Sequence, residues 1–142
     1  MSETRQKFSN AFILRAGGIA IAAAVLANIL TRLVLGLLLP LSADFQPFSY
    51  GAIIFFTVMF TVVGVIVFWV VNRLASNPLK VYNVIGIVAF FLSLVPNLAG
   101  AANPLAMPMG GKGSDYLTLI LFHVVAAVAF LGALNLMKRS TT

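Results

Sequence analysis

Four apolar runs, each long enough to cross a lipid bilayer as a helix, dominate this sequence of 142 residues. About 20 apolar residues, rising 1.5 Å each, span the hydrocarbon core of a membrane. The runs cover residues 16–39, 50–71, 81–102 and 116–137. Only 8% of the residues are charged, against about 25% in a soluble domain, so the chain cannot cover a water-facing surface. The sequence predicts an all-α membrane four-helix bundle, up-down-up-down, in a single transmembrane domain.

Residues that start or stop helices flank these runs. Pro40 follows the first run, where its missing N–H and its ring end a helix. Residues that favour helix N-termini precede the other three runs; they are Ser49, Asn77 with Pro78, and Ser114 with Asp115. The longest connection, residues 103–115, is rich in Gly, Pro and Met. We expect this connection to be mobile.

Lys and Arg are distributed unequally between the two sides of the predicted bundle. Seven lie on the side of the chain termini: Arg5, Lys7, Arg15, Arg73, Lys80, Lys138 and Arg139. The opposite side holds only Lys112, and Arg32 lies within a span. Cytoplasmic loops retain positive charge, so both termini of a multi-pass membrane protein are predicted to be cytoplasmic. Membrane orientation accounts for the net charge of +6, and no nucleic acid partner is expected.

Small and polar residues are predicted to face the interior of the bundle, because they mark the sides on which membrane helices pack. At about 100° per residue they share one face of each helix. The first face holds Gly17, Ala24, Asn28, Thr31 and Arg32, and the second Tyr50, Thr57, Thr61 and Gly64. The third holds Tyr82, Gly86, Ala89, Ser93, Asn97 and Gly100, and the fourth Tyr116, His123, Ala126 and Ala127. We expect a compact bundle with an interior of small residues.

Six polar residues on these faces lie at a similar depth, roughly 10 Å below the surface opposite the termini. They are Arg32, His123, Asn97, Asn28, Thr57 and Ser93. Because ionisable residues inside a membrane are candidates for function, they predict a polar pocket open to the outside. Pro96 frees the carbonyl of Leu92 from its helical hydrogen bond, which makes it an expected partner for Arg32. With no carboxylate inside a span, the pocket favours a small anionic ligand or a lipid head group.

In an alternative interpretation, each of these polar residues has only a structural role. Arg32 then extends toward the lipid phosphates or pairs with Asp44 in the nearest loop. His123 is a neutral core residue in this alternative, and Pro96 only shapes its helix. The polar layer would set helix register in an accessory subunit or assembly factor of a larger membrane complex. A contact face for a protein partner or a second copy is then expected on the fourth helix, at Ala129, Gly132 and Ala133.

The available residues argue against catalysis and against bound metals or cofactors. No cysteine and one histidine cannot build a structural zinc site, nor bis-histidine haem ligation within one chain. Paired carboxylates for hydrolysis are missing, and residues 110–113 lack the spacing of a phosphate-binding loop. A lipid-modifying enzyme with His123 as base is the least favoured alternative, because nothing is predicted to orient that histidine.

Four short stretches stand out within this pattern. They are Ala27-Asn28 with Arg32, Phe45-Gln46-Pro47-Phe48, Ser93-Leu94-Val95-Pro96-Asn97-Leu98, and Phe122-His123-Val124-Val125-Ala126-Ala127. From Ala16 to Met137, the chain resembles a family of small four-span bacterial membrane proteins with no assigned function. The family form of the third stretch commonly ends Pro-Asp-Leu, whereas Asn97 replaces the acid here. The resemblance implies the four-span architecture in a bacterial membrane and leaves the function open, because the family has no known activity. The missing acid argues against a proton relay through Arg32.

Overall fold

A computed structural model describes residues 7–139, without the side chains of residues 138 and 139. Its four long helices are α1 (Asn10–Leu38), α2 (Tyr50–Leu74), α3 (Pro78–Ala102) and α4 (Gly113–Arg139). Two 3₁₀ turns, Gln46–Phe48 and Pro104–Ala106, lie in the longer connections, and residues 7–139 contain no strand. Each helix is long and apolar enough to cross a membrane. The predicted all-α architecture with four candidate spans is confirmed.

Polar side chains determine where the first three helices begin. Ser49 and Asn77 cap α2 and α3, as predicted. In α1 the hydroxyl of Ser9 accepts a backbone N–H of the first turn at 3.1 Å. This cap starts α1 at Asn10, well before its apolar run, so the helix extends beyond the predicted span.

The start of α4 differs from the prediction. The helix begins at Gly113, so Ser114 and Asp115 lie in its first turn and do not precede it. The Asp115 carboxylate accepts the N–H of Lys112 at 2.7 Å, which ties the loop to the helix. A Cβ at Gly113 would lie 2.7 Å from the carbonyl oxygen of Ala101. Glycine therefore permits the close approach of α4 to the end of α3.

The long connection between α3 and α4 makes specific contacts instead of extending freely. The hydroxyl of Tyr116 donates to the carbonyl of Gly110 at 3.0 Å, and the N–H of Gln46 donates to the carbonyl of Met109 at 3.4 Å. Gly110 and Gly111 have φ of 72° and 77°, a conformation that favours glycine. These contacts join the connection to the one between α1 and α2, residues 39–49. We call this end of the bundle the loop end.

At the opposite end, Asn72 holds the start of α1 against the end of α2. The N–H of Phe8 donates to Asn72 Oδ1, and Asn72 Nδ2 donates to the carbonyl of Phe8, both at 2.9 Å. Lys7 Nζ adds hydrogen bonds to the carbonyls of Asn72 and Arg73. The guanidinium of Arg73 stacks on the Trp69 ring at 3.7 Å. This end of the bundle also includes the connection at residues 75–77 and the end of α4. We call it the termini end.

Large side chains occupy much of the interior. Near the termini end, Phe68 contacts Tyr82 at a centroid distance of 5.0 Å, in a cluster that includes Phe130. A second cluster at the loop end comprises Phe45, Phe48, Ile53, Tyr116 and Phe122. Small residues of α1 belong to the first cluster, where Ala16, Ala20 and Ala24 are fully buried. The interior is therefore not built of small residues alone, because aromatic rings pack in both clusters.

The predicted inward and outward faces otherwise agree with burial. Gly17, Asn28 and Asn97 are buried, while the outward positions Leu26 and Phe91 are more than half exposed. Two inward predictions are wrong, since Tyr50 and Ala89 are exposed. Tyr50 is the first residue of α2, and its ring turns outward beside Arg32, with 5.4 Å between the guanidinium carbon and the ring centroid.

Candidate functional site

Hydrogen bonds divide the six predicted site residues into three groups. His123 joins Ser93 and Asn97 between α4 and α3, Asn28 joins Thr57 between α1 and α2, and Arg32 bonds to the backbone at the loop end. Within residues 7–139, no hydrogen bond links one group to another. The six residues therefore do not form one polar cluster, and each group is described separately.

His123 is held at both ring nitrogens by residues of α3. Its Nδ1 lies 3.2 Å from the hydroxyl of Ser93, and its Nε2 lies 3.1 Å from Asn97 Nδ2. These residues stand four apart on α3, so they share one helix face. The expectation that nothing orients His123 is wrong, because two α3 side chains fix its ring.

The donors in this network can be assigned from the number of protons available. Ser93 has one hydroxyl proton, which it donates to the carbonyl of Phe90 at 2.6 Å. Its oxygen therefore accepts from His123 Nδ1–H, which makes Nε2 the acceptor for one proton of the Asn97 amide. The second amide proton goes to the carbonyl of Ser93 at 3.1 Å. The imidazole is neutral, and neither ring nitrogen is free for a substrate.

Asn28 and Thr57 join α1 to α2 and leave one acceptor unused. Asn28 Nδ2 donates to Thr57 Oγ1 at 3.0 Å. Asn28 is only 4% exposed, and its Oδ1 has no hydrogen-bond partner among the described residues. A buried unpaired acceptor costs about 1–3 kcal/mol. The pair therefore links the helices with half of its amide unsatisfied.

Arg32 extends along α1 toward the loop end. Its Nε donates to the carbonyl of Phe48 at 2.7 Å. Phe48 precedes Ser49, the N-cap of α2, so its carbonyl lies outside the hydrogen-bond ladder of that helix. Neither the Leu92 carbonyl nor the Asp44 carboxylate is the acceptor. The predicted partners of Arg32 are wrong because the adjacent turn supplies a carbonyl at closer reach.

Gly36 provides the space in which the guanidinium lies. A Cβ at this position would stand 2.5 Å from Arg32 Nη1. Gly36 follows Arg32 by four residues, so both occupy one face of α1. Arg32 is half-buried, and the Phe48 bond uses only Nε. Among the described residues, no hydrogen bond occupies Nη1 or Nη2, which can form a two-point contact with a carboxylate or phosphate.

A polar pair near the termini end was missed by the sequence analysis. Asn83 Nδ2 donates to Asn135 Oδ1 at 3.3 Å, and Asn135 Nδ2 donates to Asn83 Oδ1 at 3.2 Å. Both asparagines line a groove of about 460 Å³ between α3 and α4. Their only signal in sequence is a similar depth, because each lies two residues inside the termini-end limit of its apolar run.

The comparisons with known proteins agree with the architecture. A family model described as a family of unknown function, DUF6069, matches residues 8–140. No curated protein and no solved structure matches the chain. The matched range includes all four apolar helices, and the predicted resemblance to an uncharacterised family is confirmed. This chain therefore belongs to the DUF6069 family, a family of unknown function.

Proposed function

We propose that this protein binds an anionic group, namely the phosphate of a lipid head group or a small phosphate-bearing ligand, through Arg32 at the loop end. The observation that carries the proposal is the hydrogen bonding of the Arg32 guanidinium, which uses only one of its three nitrogens. Its Nε is held by the Phe48 carbonyl and Nη1 lies over Gly36, while neither terminal nitrogen has a hydrogen-bond partner among residues 7–139. A planar guanidinium suits two-point binding of phosphate.

The charge distribution supports a position at the outer surface of the bacterial inner membrane. Lys7, Arg15, Arg73 and Lys80 lie toward the termini end, and Arg5 lies outside the described residues. Because positive charge is retained in the cytoplasm, the termini end is proposed to be cytoplasmic. The loop end then faces outward. Arg32 lies about 9 Å before the end of α1, and its stem brings the charge close to the phosphate level.

Two neighbours of Arg32 fit this role. Gly36 gives Nη1 room to lie against α1, because a Cβ at this position would stand 2.5 Å from that nitrogen. Tyr50 is 45% exposed, and tyrosine rings of this kind favour the boundary between acyl chains and head groups. The guanidinium packed over Gly36, together with the Tyr50 ring, therefore makes up the proposed anion site at the membrane surface.

Binding is proposed in preference to catalysis. The only histidine of the chain, His123, has both ring nitrogens occupied by Ser93 and Asn97. A general base needs a nitrogen within reach of the proton that it removes. This network supports packing of α3 against α4 and leaves His123 without a ring nitrogen for that proton transfer.

Substitution of Arg32 by glutamine is expected to weaken binding of phosphatidylglycerol roughly tenfold to a hundredfold, because a hydrogen bond to a charged group contributes about 1.5–3 kcal/mol. The affinity of Arg32→Lys for phosphatidylglycerol should fall between those of the unsubstituted protein and Arg32→Gln, since lysine keeps the charge and loses the planar guanidinium. Binding is measured by titrating phosphatidylglycerol into protein in phosphatidylcholine nanodiscs. A parallel titration with inorganic phosphate separates a free anion from a lipid head group.

Lys112→Gln is the matched control, because Lys112 is the other basic residue of the loop-end half. This variant should bind like the unsubstituted protein if Arg32 forms the site. An equal loss of phosphatidylglycerol binding in Lys112→Gln and Arg32→Gln would show that binding depends on the general surface charge and not on a site at Arg32. Unchanged binding in Arg32→Gln would contradict the proposal.

An accessory subunit is the second candidate function, supported by the closed network around His123, which sets the register of α3 and α4 without a ligand. The expected contact face is smaller than predicted, since Ala129 and Ala133 pack against the core cluster and only Gly132 has open space beside it. Purification in mild detergent as a defined complex with one partner polypeptide would support this role. A solitary monomer would contradict it.

A further inference from the structure

We infer that the groove between α3 and α4 binds one anionic phospholipid of the leaflet at the termini end, with an acyl chain in the groove and the phosphate at Lys80. This site is separate from the proposed anion site at Arg32, which lies at the other end of the bundle. Three features carry the inference: the shape of the groove, the unused hydrogen-bond donor at its end, and the cation beyond that donor.

The groove is apolar, open to the outside of the bundle and large enough for a chain. Its volume of about 460 Å³ lies within the range of roughly 300–1,000 Å³ for small-molecule sites. Ile87 and Val128 on its walls are 53% and 69% exposed, so the groove opens toward lipid. A Cβ at Gly132 would have no neighbour within 4 Å, which leaves the centre of the groove unfilled.

One end of the groove carries a polar group with spare capacity. Asn135 uses both protons of its amide nitrogen, one on Asn83 Oδ1 at 3.2 Å and one on the Leu131 carbonyl at 2.7 Å. Asn83 uses one proton, on Asn135 Oδ1 at 3.3 Å. Its second N–H has no acceptor among the described residues, and an unpaired donor is costly in hydrocarbon. The ester carbonyl of a lipid is an acceptor of matching chemistry.

Lys80 lies one turn beyond Asn83 toward the termini end, on the same side of α3. Its side chain is exposed and makes no ion pair or hydrogen bond within residues 7–139. The groove, the Asn83 amide and the Lys80 ammonium thus follow one another along α3. A phospholipid presents its acyl chain, its ester and its phosphate in the same order. A second transmembrane helix fits this order less well, because its backbone carbonyls are already paired within the helix.

Filling the groove by Gly132→Leu is expected to abolish retention of one phosphatidylglycerol molecule. The protein is reconstituted in nanodiscs of phosphatidylglycerol and phosphatidylcholine, and retained lipids are counted by native mass spectrometry. Gly18→Leu is the matched control: Gly18 lies on α1, outside the groove, and also has no neighbour within 4 Å of a Cβ. Lys80→Gln should lower retention of the same lipid several-fold with no effect on packing, since its side chain is exposed.

The two lipid sites are distinguished by counting. The unsubstituted protein should retain two phosphatidylglycerol molecules, Gly132→Leu one, Arg32→Gln one, and the double variant none. Equal retention in Gly132→Leu and Gly18→Leu, or full retention in Lys80→Gln, would overturn the groove assignment and leave the Arg32 proposal intact. A protein dimer that Gly132→Leu dissociates without loss of lipid would also overturn it, in favour of a second copy as the occupant.

Discussion

Replacement of Gly100 by alanine is expected to lower the free energy of unfolding by about 3 kcal/mol, the upper part of the usual range for overpacking. Gly100 is buried in α3, and a Cβ there would lie 2.7 Å from Tyr116 Cγ and closer still to the ring edge. The Tyr116 ring has little room to move. It is 1% exposed, its hydroxyl is bonded to Gly110, and its ring meets Phe45 at a centroid distance of 4.8 Å.

The measurement is reversible unfolding in mixed micelles, with Gly132→Ala as the control. Gly132 has free space for a methyl group, so its substitution should be neutral or stabilise the helix by up to about 1 kcal/mol. The combination of Gly100→Ala with Tyr116→Leu should recover part of the loss, because the rigid ring is then gone. Equal stability of the two alanine variants would show that α3 and α4 do not approach each other as closely as described.

The Asn97 and His123 side chains are expected to be coupled. Asn97→Leu removes the donor to Nε2 and the bond to the Ser93 carbonyl, and His123→Leu leaves the Asn97 amide and the Ser93 hydroxyl short of a partner. Each single substitution should cost about 2 kcal/mol, because it strands a polar group in a largely apolar interior. The double variant should lose less than the sum, by about 0.6 kcal/mol and at most about 1.7 kcal/mol, the mean and the maximum measured between membrane helices.

A double-mutant cycle on unfolding free energies measures this coupling. Leu98→Ala serves as the reference, because Leu98 neighbours Asn97 in sequence, lies on the opposite face of α3 and is 53% exposed. Its combination with His123→Leu should be additive. Additive losses for Asn97→Leu with His123→Leu would mean that the amide and the imidazole do not form the bond on which the tautomer assignment rests.

The positions of the helices follow from the sequence because length and hydropathy along the chain are sufficient to locate a span. Ser49 and Asn77 begin helices where their side chains predict, since a cap bonds to residues two or three positions away. The inward placement of Asn28 and Asn97 also follows from local information. Polar groups in an apolar chain turn toward each other because lipid offers them no hydrogen bonds.

The chemistry of the candidate sites was decided by tertiary structure. Arg32 bonds to Phe48 because the turn before α2 brings a free carbonyl to the end of α1, and no spacing in the sequence encodes that approach. His123 carries its proton on Nδ1 because Ser93 donates its own proton to Phe90 and accepts from the ring, while Asn97 donates to Nε2. Asn83 meets Asn135 across 52 residues, and aromatic rings fill both ends of the interior. In a chain where nearly every helical residue is apolar, hydropathy locates the membrane spans, while shape and hydrogen-bond partners determine which side chains meet.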